Sequence, residues 1–222
     1  MDIRAGHDRM RPMMQSQRVF AALCVSGLVM FAAAPLLIAQ APFESTMGLI
    51  QKIFYFHVPG WIVMFLAVFI AGIASAIHLF RNKPAADRLA LAAAELAVLF
   101  GLIGLVTGPL WARKAWGVWW QWEPRLTMSL ILELIMCAYL LLRRYGGPGS
   151  DKLAAGLAIF AMANVPFVYL SVNIWRTIHP ATSVVPQLAG SAPGMFVPFV
   201  WCSVAFLVLF TVMMAARTRL ET

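Results

Sequence analysis

Charge is what this sequence has least of. Only 12% of its 222 residues are Asp, Glu, Lys or Arg, nine of them acidic, while 62% are hydrophobic. Soluble domains run at about 45–50% apolar residues, so the composition excludes a water-soluble or disordered chain. Cysteine is scarce as well. Cys24, Cys137 and Cys202 each fall inside an apolar run, with no C-x-x-C or C-x-x-C-H spacing. That excludes a disulfide framework and covalent attachment of a prosthetic group, and leaves them as small apolar packers. There is no P-loop, so the chain cannot hydrolyse ATP through that motif. Internal repeats, low-complexity tracts and a second, soluble domain are also absent. A formal charge of +8 would suggest nucleic acid in a soluble protein; here the basic residues lie in short segments between apolar runs, and nucleic acid is not an expected partner.

What is present is long hydrophobic runs. Six approach the roughly 20 residues that a helix needs to cross the hydrocarbon core: Val19–Ala39, Val58–Phe80, Leu89–Trp111, Leu126–Leu142, Leu153–Val172 and Met195–Ala216. The first resembles a cleavable leader but is too long for one. The expected fold is all-α, a polytopic six-span membrane domain over residues 1–222. Twelve of the seventeen Lys and Arg residues fall in the two tails and in the second and fourth connections. By the positive-inside tendency both termini are cytoplasmic. Three loops then lie outside, at about Gln40–His57, Ala112–Arg125 and Asn173–Gly194.

All eight tryptophans map to those loops or to the outer ends of spans, five of them between Trp111 and Trp122. An aromatic belt would populate both interfaces. It is the lesser reading for Trp61 and Trp201, and weaker still for five indoles confined to one loop. Packed indoles offer a wide, polarisable surface suited to stacking an extended aromatic ligand.

Two of the four histidines flank this surface. His7 sits in the basic tail and His78 at the cytoplasmic end of the second span, whereas His57 and His179 each occupy a separate outer loop near a helix end. Alone, either would read as a cap or a surface residue. Together, approaching a tryptophan platform from two sides, they suit the axial positions of a six-coordinate haem. Zinc is the competing metal, but a structural site usually needs four ligands, and the outer loops supply no further Cys or His pair. Arg125 and Arg176 are candidates for the haem propionates, or for lipid phosphate or Glu123. Glu123 itself can accept an indole N–H, orient an imidazole, or pair with Arg125.

The run Trp116-Gly117-Val118-Trp119-Trp120-Gln121-Trp122-Glu123-Pro124-Arg125-Leu126-Thr127 resembles the WWD signature, W-G-x-x-W-x-W-D-x-R-L-T, of the haem-handling membrane proteins. Phe56-His57-Val58-Pro59 and the segment Ser171 to His179 resemble the histidine loops of one branch, cytochrome c maturation protein C, also called haem exporter protein C. Chain length and span count select that branch over the larger haem lyases. The resemblance implies a non-catalytic role in haem trafficking at the periplasmic face of a bacterial inner membrane. Its implied partners are the ATPase and permease subunits of an ABC transporter, a small single-span subunit and a membrane-anchored periplasmic haem chaperone. The cargo it implies is haem b, held non-covalently and transiently. By position His57 and His179 are the axial ligands, Trp116, Trp119, Trp120 and Trp122 the platform, and Glu123, Arg125 and Arg176 the surrounding polar groups. Two departures stand out: Glu123 replaces the signature Asp, and Pro180 follows the second histidine where Gln is common.

Glu95 and Glu133 lie within spans, where a carboxylate is costly. Asn164 and Pro166 predict a bend in the fifth span, and Gly101, Gly104 and Gly108 close helix approach. No continuous polar file crosses the membrane. Two other functions compete: a cytochrome b-type respiratory anchor, which would place its histidines within helices, and an ABC permease subunit for another substrate.

Overall fold

The computed structural model describes residues 3–45, 47–180 and 193–220. It consists of six long helices: α1 (Ile3–Gln40), α2 (Phe54–Arg81), α3 (Pro84–Ala115), α4 (Pro124–Tyr145), α5 (Ser150–Ile174) and α6 (Pro193–Leu220). A 3₁₀ turn, Leu49–Ile53, leads into α2. There is no β-strand among the described residues. Each helix contains a segment long and apolar enough to cross a bilayer. The protein is a polytopic all-α membrane protein, as its hydropathy predicts. Residues 181–192, the middle of the expected third outer loop, lie outside the described residues, as do the side chains of His7, Arg4, Arg9 and Arg11 in the basic tail.

Helix ends follow local chemistry. Pro84 and Pro124 open α3 and α4, where a missing N–H costs nothing, and Arg113 with Lys114, and Arg143 with Arg144, close those helices where the dipole is negative. Asn82 ends α2 in the left-handed region at φ 48°, which lets two residues turn the chain into α3. The helices run past the expected spans. The 3₁₀ turn delivers the chain already coiled, so α2 begins at Phe54 and takes His57 into its first turns, although a loop position is expected from sequence. The fifth helix continues through Asn164 and Pro166 to Ile174.

Packing without a water-driven force between helices relies on close approach of small residues. Helix α3 presents Ala90, Ala93, Ala94 and Ala97 to the core, and α5 presents Ala154, Ala158 and Ala161. At Gly72 on α2 an added Cβ would lie 2.6 Å from the Met162 side chain of α5, so only glycine permits that crossing. Gly104 of α3 lies directly against the Trp61 indole, and Gly101 against the Glu133 carboxyl. Helices α1 and α6 pack on one another beside this core, tied where Trp201 Nε1 donates to the Met30 carbonyl at 2.9 Å.

At the end of the bundle opposite the tryptophans, ion pairs staple the helices. Arg143 of α4 holds Asp87 of α3 through two contacts of 2.7 Å, and His78 of α2 approaches Asp151 of α5 at 3.4 Å. Glu95, costly if unpaired, is bound by Arg217 of α6. Glu133 differs: it is 2% exposed, and neither carboxyl oxygen has a hydrogen-bond partner among the described residues.

Candidate functional site

At the tryptophan end, α2, α3, α4, the end of α5, the loop between α3 and α4, and the segment after α5 line a cavity of about 150 Å³. The walls come from residues spaced along single helix faces. Helix α2 contributes His57 and Trp61, four residues apart; α3 contributes Gly104, Gly108 and Trp111; α4 contributes Arg125 and Ser129. These are the i, i+3/i+4 and i+7 spacings that put side chains on one stripe. The α3–α4 loop adds Trp116 and Trp120, and the chain beyond α5 adds His179 and Pro180.

Four tryptophans therefore line the cavity: Trp61, Trp111, Trp116 and Trp120. Trp111 stacks on Trp116 with ring centroids 6.2 Å apart and planes 21° from parallel, and its Nε1 donates to Met47 Sδ at 3.1 Å. Met47 is itself anchored, because the Glu44 carboxylate accepts its backbone N–H. Trp119 and Trp122 are placed differently from the expected platform. They are 58% and 75% exposed and outside the cavity lining, Trp119 carrying the Arg113 guanidinium over its ring and Trp122 packing edge-on against Trp120. Trp61 and Trp111, which the expected platform does not include, take their places in the wall.

Both histidines line this cavity, and each places Nδ1 against an oxygen. His57 Nδ1 lies 2.9 Å from Thr107 Oγ1, and the Thr107 hydroxyl spends its proton on the Ile103 carbonyl at 2.6 Å. A Thr107 oxygen whose proton goes to Ile103 suits a hydrogen on His57 Nδ1. His179 Nδ1 lies 3.0 Å from the Pro180 carbonyl, which only accepts. Both contacts suit the Nδ1–H tautomer, which leaves the Nε2 lone pair free. That is the form in which imidazole binds a metal. Burial and then the neighbouring Arg125 charge push the His179 imidazole down to about 4, against the pull of the Pro180 carbonyl; it is neutral at physiological pH.

Glu123 is 7% exposed and sits just before α4. Its Oε2 accepts from the Thr177 hydroxyl at 2.5 Å and from the Ile178 backbone N–H at 2.9 Å. Thr177 Oγ1 in turn accepts the His179 backbone N–H at 3.0 Å. Glu123 thus binds the segment that leads to His179 and, among the described residues, neither an indole N–H nor an imidazole. Arg125 does not pair with it. The guanidinium donates through Nη1 to the Val168 and Tyr169 carbonyls near the end of α5, at 2.8 and 3.0 Å, and its remaining N–H groups are not used in those contacts. Arg176 is exposed and outside the cavity lining. Thr107 is the residue that sequence reasoning missed: a lone threonine in an apolar helix carries no signal until its neighbour across the helix pair is known.

The chain can be placed among known proteins. A family model described as heme exporter protein C matches residues 7–222. Heme exporter protein C of Bradyrhizobium diazoefficiens is 34% identical over 209 residues, covering 92% of this chain and 79% of that protein. The protein of the same name from Haemophilus influenzae is 31% identical over 187 residues, 83% of this chain and 76% of that one. A cytochrome c biosynthesis ccmC-like mitochondrial protein of Marchantia polymorpha is 31% identical over 181 residues, 81% and 77% of the two chains. With a family match along nearly its whole length and relatives above 30% identity covering most of both chains, the protein belongs to the heme exporter protein C family.

Proposed function

We propose that the protein binds haem at the outer face of a bacterial inner membrane and passes it to a membrane-anchored haem chaperone during cytochrome c maturation, as a subunit working beside an ABC transporter. One observation carries this reading: two imidazoles from different elements line one cavity, each with Nδ1 hydrogen-bonded to an oxygen. Haem, as cargo, fits the remaining chemistry. The cavity wall is largely indole, which suits a flat conjugated ring. Arg125 at the edge has guanidinium N–H groups beyond those given to α5, and the Trp120 N–H is buried with no acceptor among the described residues; both suit propionate oxygens. The exposed indoles of Trp119 and Trp122, outside the lining, are available to a recipient protein.

In this reading the chain performs no bond chemistry of its own. It holds iron through two neutral imidazoles and leaves one edge of the ring to the partner. Both termini lie in the cytoplasm, with the small single-span subunit and the transporter subunits alongside. The cytochrome b-type alternative gains from the helical position of His57, but His179 stands on a loop pinned by Glu123 rather than on a facing helix.

The test is to purify the full chain in detergent, add haem b and record its absorption spectrum. A low-spin bis-imidazole spectrum is the expected result. Isolation without haem under every loading condition would favour the permease reading instead.

A further inference from the structure

Helix α3 contributes more than wall area to the cavity. Thr107 and Gly108, adjacent in sequence, contact the His57 ring from α3. The Thr107 hydroxyl oxygen lies 2.9 Å from His57 Nδ1, and a Cβ built on Gly108 would stand 3.3 Å from His57 Cε1. The ring is thus held by a hydrogen bond at one atom and given room at the next. Edge-on contacts with Trp61 and Trp111, at centroid distances of 6.4 and 5.9 Å, limit its rotation further.

The Thr107 contact is directional. A threonine in a helix commonly donates to a carbonyl one turn back, and Thr107 does so to Ile103 at 2.6 Å. With its one proton committed, the oxygen presents only lone pairs to His57. Resting on the haem-ligand reading above, we infer that Thr107 is a positioning residue that sets the tautomer of His57, keeps Nε2 unprotonated and aimed into the cavity, and strengthens it as an iron donor. Partners of this kind on the far ring nitrogen raise ligand basicity, and their loss weakens metal binding by about 10- to 100-fold. A weaker donor stabilises ferric iron less than the native one does, so the reduction potential rises.

The experiment uses the full-length protein in detergent with ¹⁵N-labelled histidine, comparing wild type, Thr107→Val and Thr107→Ser, with His57→Gln to assign the signals. In the haem-free wild type the His57 shifts should show a protonated Nδ1 and a pyridine-like Nε2. Thr107→Val keeps the shape but removes the acceptor. It should move the proton to Nε2, weaken haem b binding by about 10- to 100-fold and shift the haem potential positive, and Thr107→Ser should restore all three. An unchanged tautomer in Thr107→Val overturns the role of Thr107 whatever haem does. A changed tautomer with wild-type haem affinity and potential overturns His57 as the ligand, so the two failures are distinguishable.

Discussion

The Glu123 carboxylate accepts the Ile178 backbone N–H at 2.9 Å, joining the tryptophan loop to the segment that carries His179. The same oxygen takes the Thr177 hydroxyl, so one buried acid holds both sides of the turn leading to the imidazole. Bonds to a charged acceptor are worth about 1.5–3 kcal/mol each. Glu123→Ala is therefore expected to loosen residues 177 to 179 and to weaken haem binding by about tenfold or more, read by absorbance titration. Glu123→Asp, one methylene shorter, should fall between the two. Wild-type affinity in Glu123→Ala would mean that the turn holds itself.

The tryptophans should divide by position. Trp111→Phe and Trp120→Phe alter the cavity wall, and each should lower haem retention and change the quenching of protein fluorescence by haem. Trp119→Phe and Trp122→Phe lie outside the lining and should leave equilibrium binding unchanged, acting only when haem moves to a recipient protein. Equal losses in all four would contradict that division.

Arg125 links helices as well as facing the cavity. Removing it in Arg125→Met leaves the Val168 and Tyr169 carbonyls without its two contacts, a loss of about 1–3 kcal/mol that denaturant unfolding in mild detergent should detect. Arg125→Lys keeps the charge but not the planar fork and should recover only part of it.

Acidification gives a further test, because the His179 imidazole is held down at about 4. A histidine in the unfolded chain takes its proton near 6.5. As pH falls from about 6.5 toward 4, the unfolded chain gains a proton that the folded chain refuses, and stability contributed by this group declines; above about 6.5 it is unaffected. The haem-free protein should accordingly unfold at lower denaturant as pH falls from about 6.5 toward 5. A midpoint that does not move over that range would show that His179 is not sheltered as described.

The number of helices and their approximate spans were legible because hydrophobic run length reports bilayer thickness directly. Helix ends were not, since backbone hydrogen bonding continues past the apolar slab. Hence α3 runs on to Ala115, beyond the expected end at Trp111, and His57 belongs to α2 rather than to a loop. The tryptophan loop and both histidines stood out through residue type and placement. Which indoles face the cavity depended on how helices α2 and α3 pair, although the spacing of His57 with Trp61, and of Gly104 and Gly108 with Trp111, held the information. Thr107 and the Glu123 contact with Ile178 could not be read at all. Both are tertiary partnerships between segments more than 45 residues apart.

In the proposed function His57 and His179 share one haem iron. The absorption and electron paramagnetic resonance spectra of haem-loaded His57→Ala and His179→Ala test it most directly. Each variant should convert the low-spin bis-imidazole signature to a high-spin one, and added imidazole should restore the low-spin form. Retention of the wild-type spectrum in both variants would contradict the account.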